Sequence, residues 1–367
     1  MRQVCLAVAA ALVIGAAPAT APPTSAPVAP PTSPPSLHVD AARLQDETSA
    51  PTLAAYGLFT DRAGRIPAPG LHRYTLNTPL FSDYAEKYRY VWMPPGTAAR
   101  YTETGVLDFP IGTTLVKVFA YPADFRAPDK NMRLVETRLL VHRPAGWVPL
   151  TYVWNAAGTE AVLKRAGVRV PVAFTDAHGK PVQLDYAVPN VNQCKQCHQQ
   201  GNEATPIGPT AGNLNGGLDG KGENQLKSWA AAGRLTGLPA KPAHLARWDD
   251  PTAPVADRAR AYLEVNCGHC HSRAGLASNS GLYLQHDEAD LAAQGIGKRP
   301  VAAGRGSGGR SFAILPGDPD ASIIVHRMES TEPGVMMPQF GRTISHAEGV
   351  ALVRAYIARM RPATPQG

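Results

Sequence analysis

The sequence predicts a multidomain chain: an N-terminal all-β domain, built as an antiparallel sandwich or barrel, followed by two small mainly α modules. Three observations predict it. Short runs rich in β-branched and aromatic residues, each stopped by Gly or Pro, recur between residues 37 and 190. From Val191 the texture changes to loops punctuated by Gly, Asn and Pro, with short helical patterns between them. One signature, Cys-x-x-Cys-His, then appears once in each of two later segments, 191–250 and 254–362.

The elements follow in order. Residues 1–19 carry Arg2, a small apolar run through Ile14 and small residues around Ala17-Pro18-Ala19. That is the layout of a secretory signal peptide, and the run is too short for a comfortable membrane span. The mature chain is therefore expected to be exported (periplasmic in a bacterial cell) and to carry no integral membrane span, with a retained anchor as the alternative. Residues 20–36 are almost all Pro, Ala, Thr and Ser, a composition that stays extended and buries little, so they read as a Pro-rich linker.

Within the β-rich segment, strands are expected at Tyr88–Met93 before Pro94-Pro95, at Thr113–Tyr121, at Trp147–Trp154 and at Val168–Phe174. Arg133–Val141 is strand-like too, but Leu134, Glu136, Arg138 and Leu140 make no clean apolar face. No catalytic triad or metal cluster is visible here, and Asp83, Glu86, His142 and Asp185 read as scattered solvated residues. No catalytic residue is assigned anywhere in the chain.

Further on, a short helix is expected at Asn224–Ala232 and a longer one at Ala256–Val265, leading straight into Cys267. Ser345-His346-Ala347-Glu348 reads as a capping box opening a last helix to Met360, with Val350, Val353, Tyr356 and Ile357 at helical spacing.

The repeated signature carries the chemistry. Cys194-Lys195-Gln196-Cys197-His198 and Cys267-Gly268-His269-Cys270-His271 account for four of the five cysteines. Two thiols at this spacing can each bond one vinyl-derived carbon of a porphyrin, and the adjacent His then lies under the iron. Two covalently bound haem c groups are expected, with His198 and His271 as proximal ligands. A redox dithiol would call for a thioredoxin-like βαβ setting, which is not seen. A shared four-cysteine zinc site gives no reason for a His after each second Cys.

The formal charge of +7 is weak guidance, since the export segment removes Arg2 and two haems bring four propionates. No dense Lys/Arg run interleaved with aromatics appears, so nucleic acid is not an expected partner. Redox partner proteins are.

The sixth ligand of the first iron is open at this level. His244 is the one His outside the motif between His198 and Cys267, and no Met lies there. Met93, Met132, His178 and an open position are the alternatives.

Two resemblances add to this reading. A helix before the motif and a helix at the end make the second module similar to class I cytochrome c over 254–362, so both modules are expected to be cytochrome c-like. That likeness implies a Met sulfur on the distal side. In Val335-Met336-Met337-Pro338 it favours Met337, the Met directly before Pro, with Met336 and then Met328 behind it. Ile207-Gly208-Pro209-Thr210 with Leu214 resembles the loop whose carbonyl holds the proximal His, which implies Pro206 or Pro209 as acceptor. The longer resemblance is to a family of bacterial dihaem c-type cytochromes with a β-rich region ahead of the haem modules. It rests on Asn77-Thr78-Pro79-Leu80-Phe81-Ser82-Asp83, Leu107–Thr113, Tyr152–Asn155 and Arg258–Cys267, and covers most of 70–360. It implies an exported redox protein. The expected function is electron transfer between redox partners. The alternative is a dihaem redox enzyme, peroxidase-like or acting on another small molecule, with one haem iron open.

Overall fold

The computed structural model of the protein describes residues 38–61 and 63–361. The expected signal peptide and Pro-rich linker lie outside them. The coarse order holds: an N-terminal antiparallel β region precedes a mixed region with a few short helices.

The β region holds β1 (His72–Tyr74), β2 (Glu86–Trp92), β3 (Ala99–Arg100), β4 (Thr114–Tyr121), β5 (Arg133–Arg143), β6 (Gly146–Trp154), β7 (Ala161–Leu163), β8 (Val168–Thr175) and β9 (Pro181–Val188). Six of them form one antiparallel sheet in the order β1-β2-β4-β5-β6-β7. β8 and β9 pair with each other, and Thr175 at the end of β8 also bridges Asp124. The six-stranded sheet does not close into a barrel. β1 and β7 stay at opposite edges, and a hairpin with loops and helices supplies the opposing layer.

The reason is visible in what covers each face. On one face, α1 (Ala41–Gln45) and the turn Leu53–Tyr56 pack Leu44 and Tyr56 against Val116, Val118, Leu139, Val141 and Tyr152. On the other face, strand register sets three successive rows of opposed residues. Val91, Leu115 and Leu140 form an aliphatic row. It is covered by α3 (Ala211–Leu214) and α4 (Gln225–Ala231), through Leu214, Leu226 and Trp229. Lys87, Phe119, Glu136 and Val153 form a second row, where Phe119 and Val153 join Tyr121 in an aromatic cluster with Phe174 and Tyr186 of the β8–β9 hairpin. Between these two lies Arg89–Lys117–Arg138–Thr151, one residue from each of β2, β4, β5 and β6.

The later segments lean on this sheet. α2 (Val191–His198) starts at a capping box in which Asn190 and Gln193 bond each other's backbone N–H. Leu235–Thr236 adds a short parallel pairing to β3. The buried Ala211, Leu214, Leu226, Trp229 and Leu235 all belong to the core shared with the sheet, so this stretch completes the β region's packing.

α5 (Val255–Leu263) widens into a π turn at Glu264–Gly268, and shares a separate core with α6 (Ile323–Glu329) and α7 (Ala347–Ala358) through Tyr262, Val325, Met328, Val353 and Ile357. α7 begins one residue later than the expected capping box, with His346 at the N-cap and no side-chain cap bond. Ser345 Oγ instead donates to the Met328 carbonyl, and Glu348 accepts from the Tyr84 hydroxyl. Among the described residues, no helix is long and apolar enough to cross a membrane.

Candidate functional site

Helical spacing puts the reactive residues of each motif on one side. Positions i, i+3 and i+4 share a helix face, so Cys194, Cys197 and His198 project together from α2. The second motif turns at the end of α5, where both Cys270 N–H and His271 N–H donate to the Cys267 carbonyl. All six side chains line one cavity of about 470 Å³, mostly apolar, with Thr151, Arg138, Lys117 and Arg89 along its sheet side. That volume falls within the range of about 300–1,000 Å³ typical of organic-ligand sites.

Cys194 is buried and the other three cysteines are half-buried, and desolvation pushes all four thiols up: Cys197 and Cys267 to about 12, Cys194 and Cys270 in the same direction. A redox dithiol needs a stabilised thiolate, so this environment is the opposite of the one that reading requires. Nor is the zinc alternative assembled, because no three His, Cys, Asp or Glu among the described residues converge as a metal cage.

The last His of each motif is held by one ring nitrogen. His198 Nδ1 donates to the Thr205 carbonyl at 2.8 Å. The acceptor is thus the residue before Pro206, one position from the expected Pro206 and not Pro209. His271 Nδ1 lies 3.3 Å from Ser280 Oγ, whose own proton goes to the Ala277 carbonyl, so the ring donates here too. In a neutral ring both contacts leave Nε2 as the unprotonated nitrogen. Burial keeps both rings neutral, with His198 lowered to about 4 and His271 lowered as well.

The expected distal residues divide. Met337 lines the cavity, its N–H donating to Arg327 and its carbonyl accepting from Arg342. Met328 lines it as well, whereas Met336 is buried elsewhere. His244 does not reach the cavity: it is exposed, and its Nδ1 donates to the Asn215 carbonyl. Met93 and Met132 sit in the sheet's two apolar layers, and His178 is exposed beyond the hairpin.

Three features escaped the sequence. His269, inside the second motif, is half-buried in the cavity wall with its Nδ1 buried and without a hydrogen-bond partner, and burial, with the His198 ring nearby, holds the ring neutral. The basic row is the second. The third is the adjacency of the two motifs: Gln200 Nε2 donates to the His269 carbonyl at 2.7 Å and Gly201 N–H to Ala274 at 2.8 Å. The segment Asn77–Asp83 latches the whole site. Asn77 Nδ2 donates to the carbonyls of Gly212, Asn215 and Leu245, Phe81 N–H donates to Asn266 Oδ1, and buried Asp83 accepts from Thr343 and Ile344. Asp83 is therefore structural, not a solvated surface residue. Comparison with family models, with curated proteins and with solved structures finds no match to this chain.

Proposed function

We propose that the protein is an exported dihaem c-type cytochrome that passes electrons between redox partner proteins, of the bacterial family whose motifs it resembles. The observation that carries this reading is the convergence of both Cys-x-x-Cys-His motifs on one cavity, each with its His fixed through Nδ1. The donor set suits the group: desolvated thiols, neutral imidazoles with a free Nε2, an apolar enclosure, and cavity-facing cations where carboxylates would need partners.

Haem supplies a one-electron Fe(III)/Fe(II) couple. The chain's own residues do the rest. Cys194, Cys197, Cys267 and Cys270 would hold the porphyrins, and His198 and His271 would ligate the irons. Thr205 and Ser280 hold those rings in one tautomer. Met337 would supply a thioether to the second iron, a ligand that favours the ferrous state. The apolar walls exclude water, so little rearranges when charge changes.

The test is the holoprotein made alongside a haem-maturation system. Its intact mass is expected to exceed that of the chain by two macrocycles, and its reduced spectrum is expected to stay unshifted when carbon monoxide is added. A colourless product sinks the proposal, and a large carbon monoxide shift replaces electron transfer with the enzyme reading. Met337→Ala is expected to abolish the far-red sulfur-to-iron band of the oxidised protein.

A further inference from the structure

The row Arg89–Lys117–Arg138 places three cations directly opposite one another on neighbouring strands. Like charges in opposed sheet positions destabilise, and buried cations are unfavourable without a counter-charge. One acid offsets the row. Glu136, wholly buried, pairs with Arg138 and accepts from the Tyr186 hydroxyl. Among the described residues no carboxylate pairs with Arg89 or Lys117. Arg89 is 6% exposed, and its Nη2 has no partner. Lys117 lies over the Phe119 ring, 4.8 Å from its centroid, and faces the cavity. Burial, and then the charges of Arg89, Lys87 and Arg138, hold Lys117 well below its ordinary range, with Glu136 pulling the other way.

The row also has a direction. Its fourth member, Thr151, touches the first motif, with Oγ1 4.0 Å from Cys194 Sγ. Strands are spaced by about 4.8 Å, so Arg89, three strands away, sits about 14 Å along the row from that thiol end. A porphyrin tethered by its vinyl edge carries its two propionates on the opposite edge. The aliphatic row Val91–Leu115–Leu140 bounds the basic row on one side; on the other, Lys87 and Glu136 stand at either side of Phe119, so Lys87 adds a further cation and Glu136 is the acid already taken by Arg138.

We propose that Arg89 and Lys117 form a carboxylate-binding site that takes the propionates of the porphyrin fixed at Cys194 and Cys197, an assignment that rests on the dihaem reading. The β region is then a wall of the first haem site and not an appended docking module. Arg138, already paired, bridges between the thiol end and this site.

The experiment uses the haem-loaded full chain and its Arg89→Gln, Arg89→Lys and Lys117→Met variants. Resonance Raman spectra are expected to show the propionate bending band of one haem shifted in Arg89→Gln and Lys117→Met, with a smaller shift in Arg89→Lys, which keeps the charge. The potential of that haem is expected to fall while the other stays. If Arg89→Gln fails to fold, the other two variants carry the test. Loaded protein whose propionate bands and potentials do not move overturns the site but leaves the dihaem reading standing. Protein without haem overturns the dihaem reading itself. Two further results also overturn the assignment. One is a saturable spectral response to inorganic phosphate or nitrite that Arg89→Gln abolishes without moving the propionate band, which makes the row a site for a free anion. The other is loss of a low-spin signal in Lys117→Met, which makes Lys117 an iron ligand.

Discussion

His346 stacks on Phe81 with ring centroids 4.2 Å apart and shares a hydrogen bond with the Tyr262 hydroxyl at 3.0 Å. Burial lowers it from 6.5 to about 4, against the pull of Glu348. A folded-state value below the unfolded one means that the unfolded chain takes up the proton first. Stability is thus complete above pH 6.5 and lost as pH falls toward 4, by about 3 kcal/mol for this residue. His346→Phe keeps the stack and removes the proton site. Denaturant unfolding at a series of pH values is expected to show a shallower acid loss in the variant; an unchanged slope would place the linkage elsewhere. The two Cys-x-x-Cys-His motifs were legible at this same scale, because the chemistry proposed for them would dictate residue identity over five positions. His346 was not, since nothing local to Ser345–Glu348 tells of Phe81 or Tyr262.

At the scale of elements, α5 and α7 cross where Gly349 meets Tyr262. A Cβ at 349 would lie 2.3 Å from the Tyr262 ring, so the helices approach only because that position has no side chain. Gly349→Ala gains helix propensity and loses the contact; overpacking wins, and destabilisation of about 1–3 kcal/mol is expected from chemical denaturation. Strands were legible where one face was apolar, and β2, β4, β6 and β8 fall close to their expected bounds. β5 explains its own ambiguity. Glu136, Arg138 and Leu140 share the inward face, so the strand's mixed pattern records a charged interior. Alternation rules assume that inside means apolar, and they fail where the inside holds a site. The layer opposite the sheet was illegible for a different reason, since it is assembled from segments whose pairing is not local.

For the whole molecule, both motifs share one enclosure and touch through Gln200 and Gly201. Two irons held there, as proposed, would feel each other's charge through a medium of low polarisability. A potentiometric titration of the holoprotein is expected to resolve two steps, with reduction of the first haem lowering the potential of the second. Steps that fit two independent centres, unaffected by Gln200→Ala, would mean that the pair does not interact.

The bond from Thr343 to Asp83 joins positions 260 residues apart. A chain emerges from its N-terminal side, so the segment that closes the chamber comes after both motifs. Until Thr343 has emerged, Asp83 lacks these bonds, and both thiol pairs belong to a chain still unlatched. The order of emergence thereby leaves the cysteines open to bulky chemistry before the door shuts.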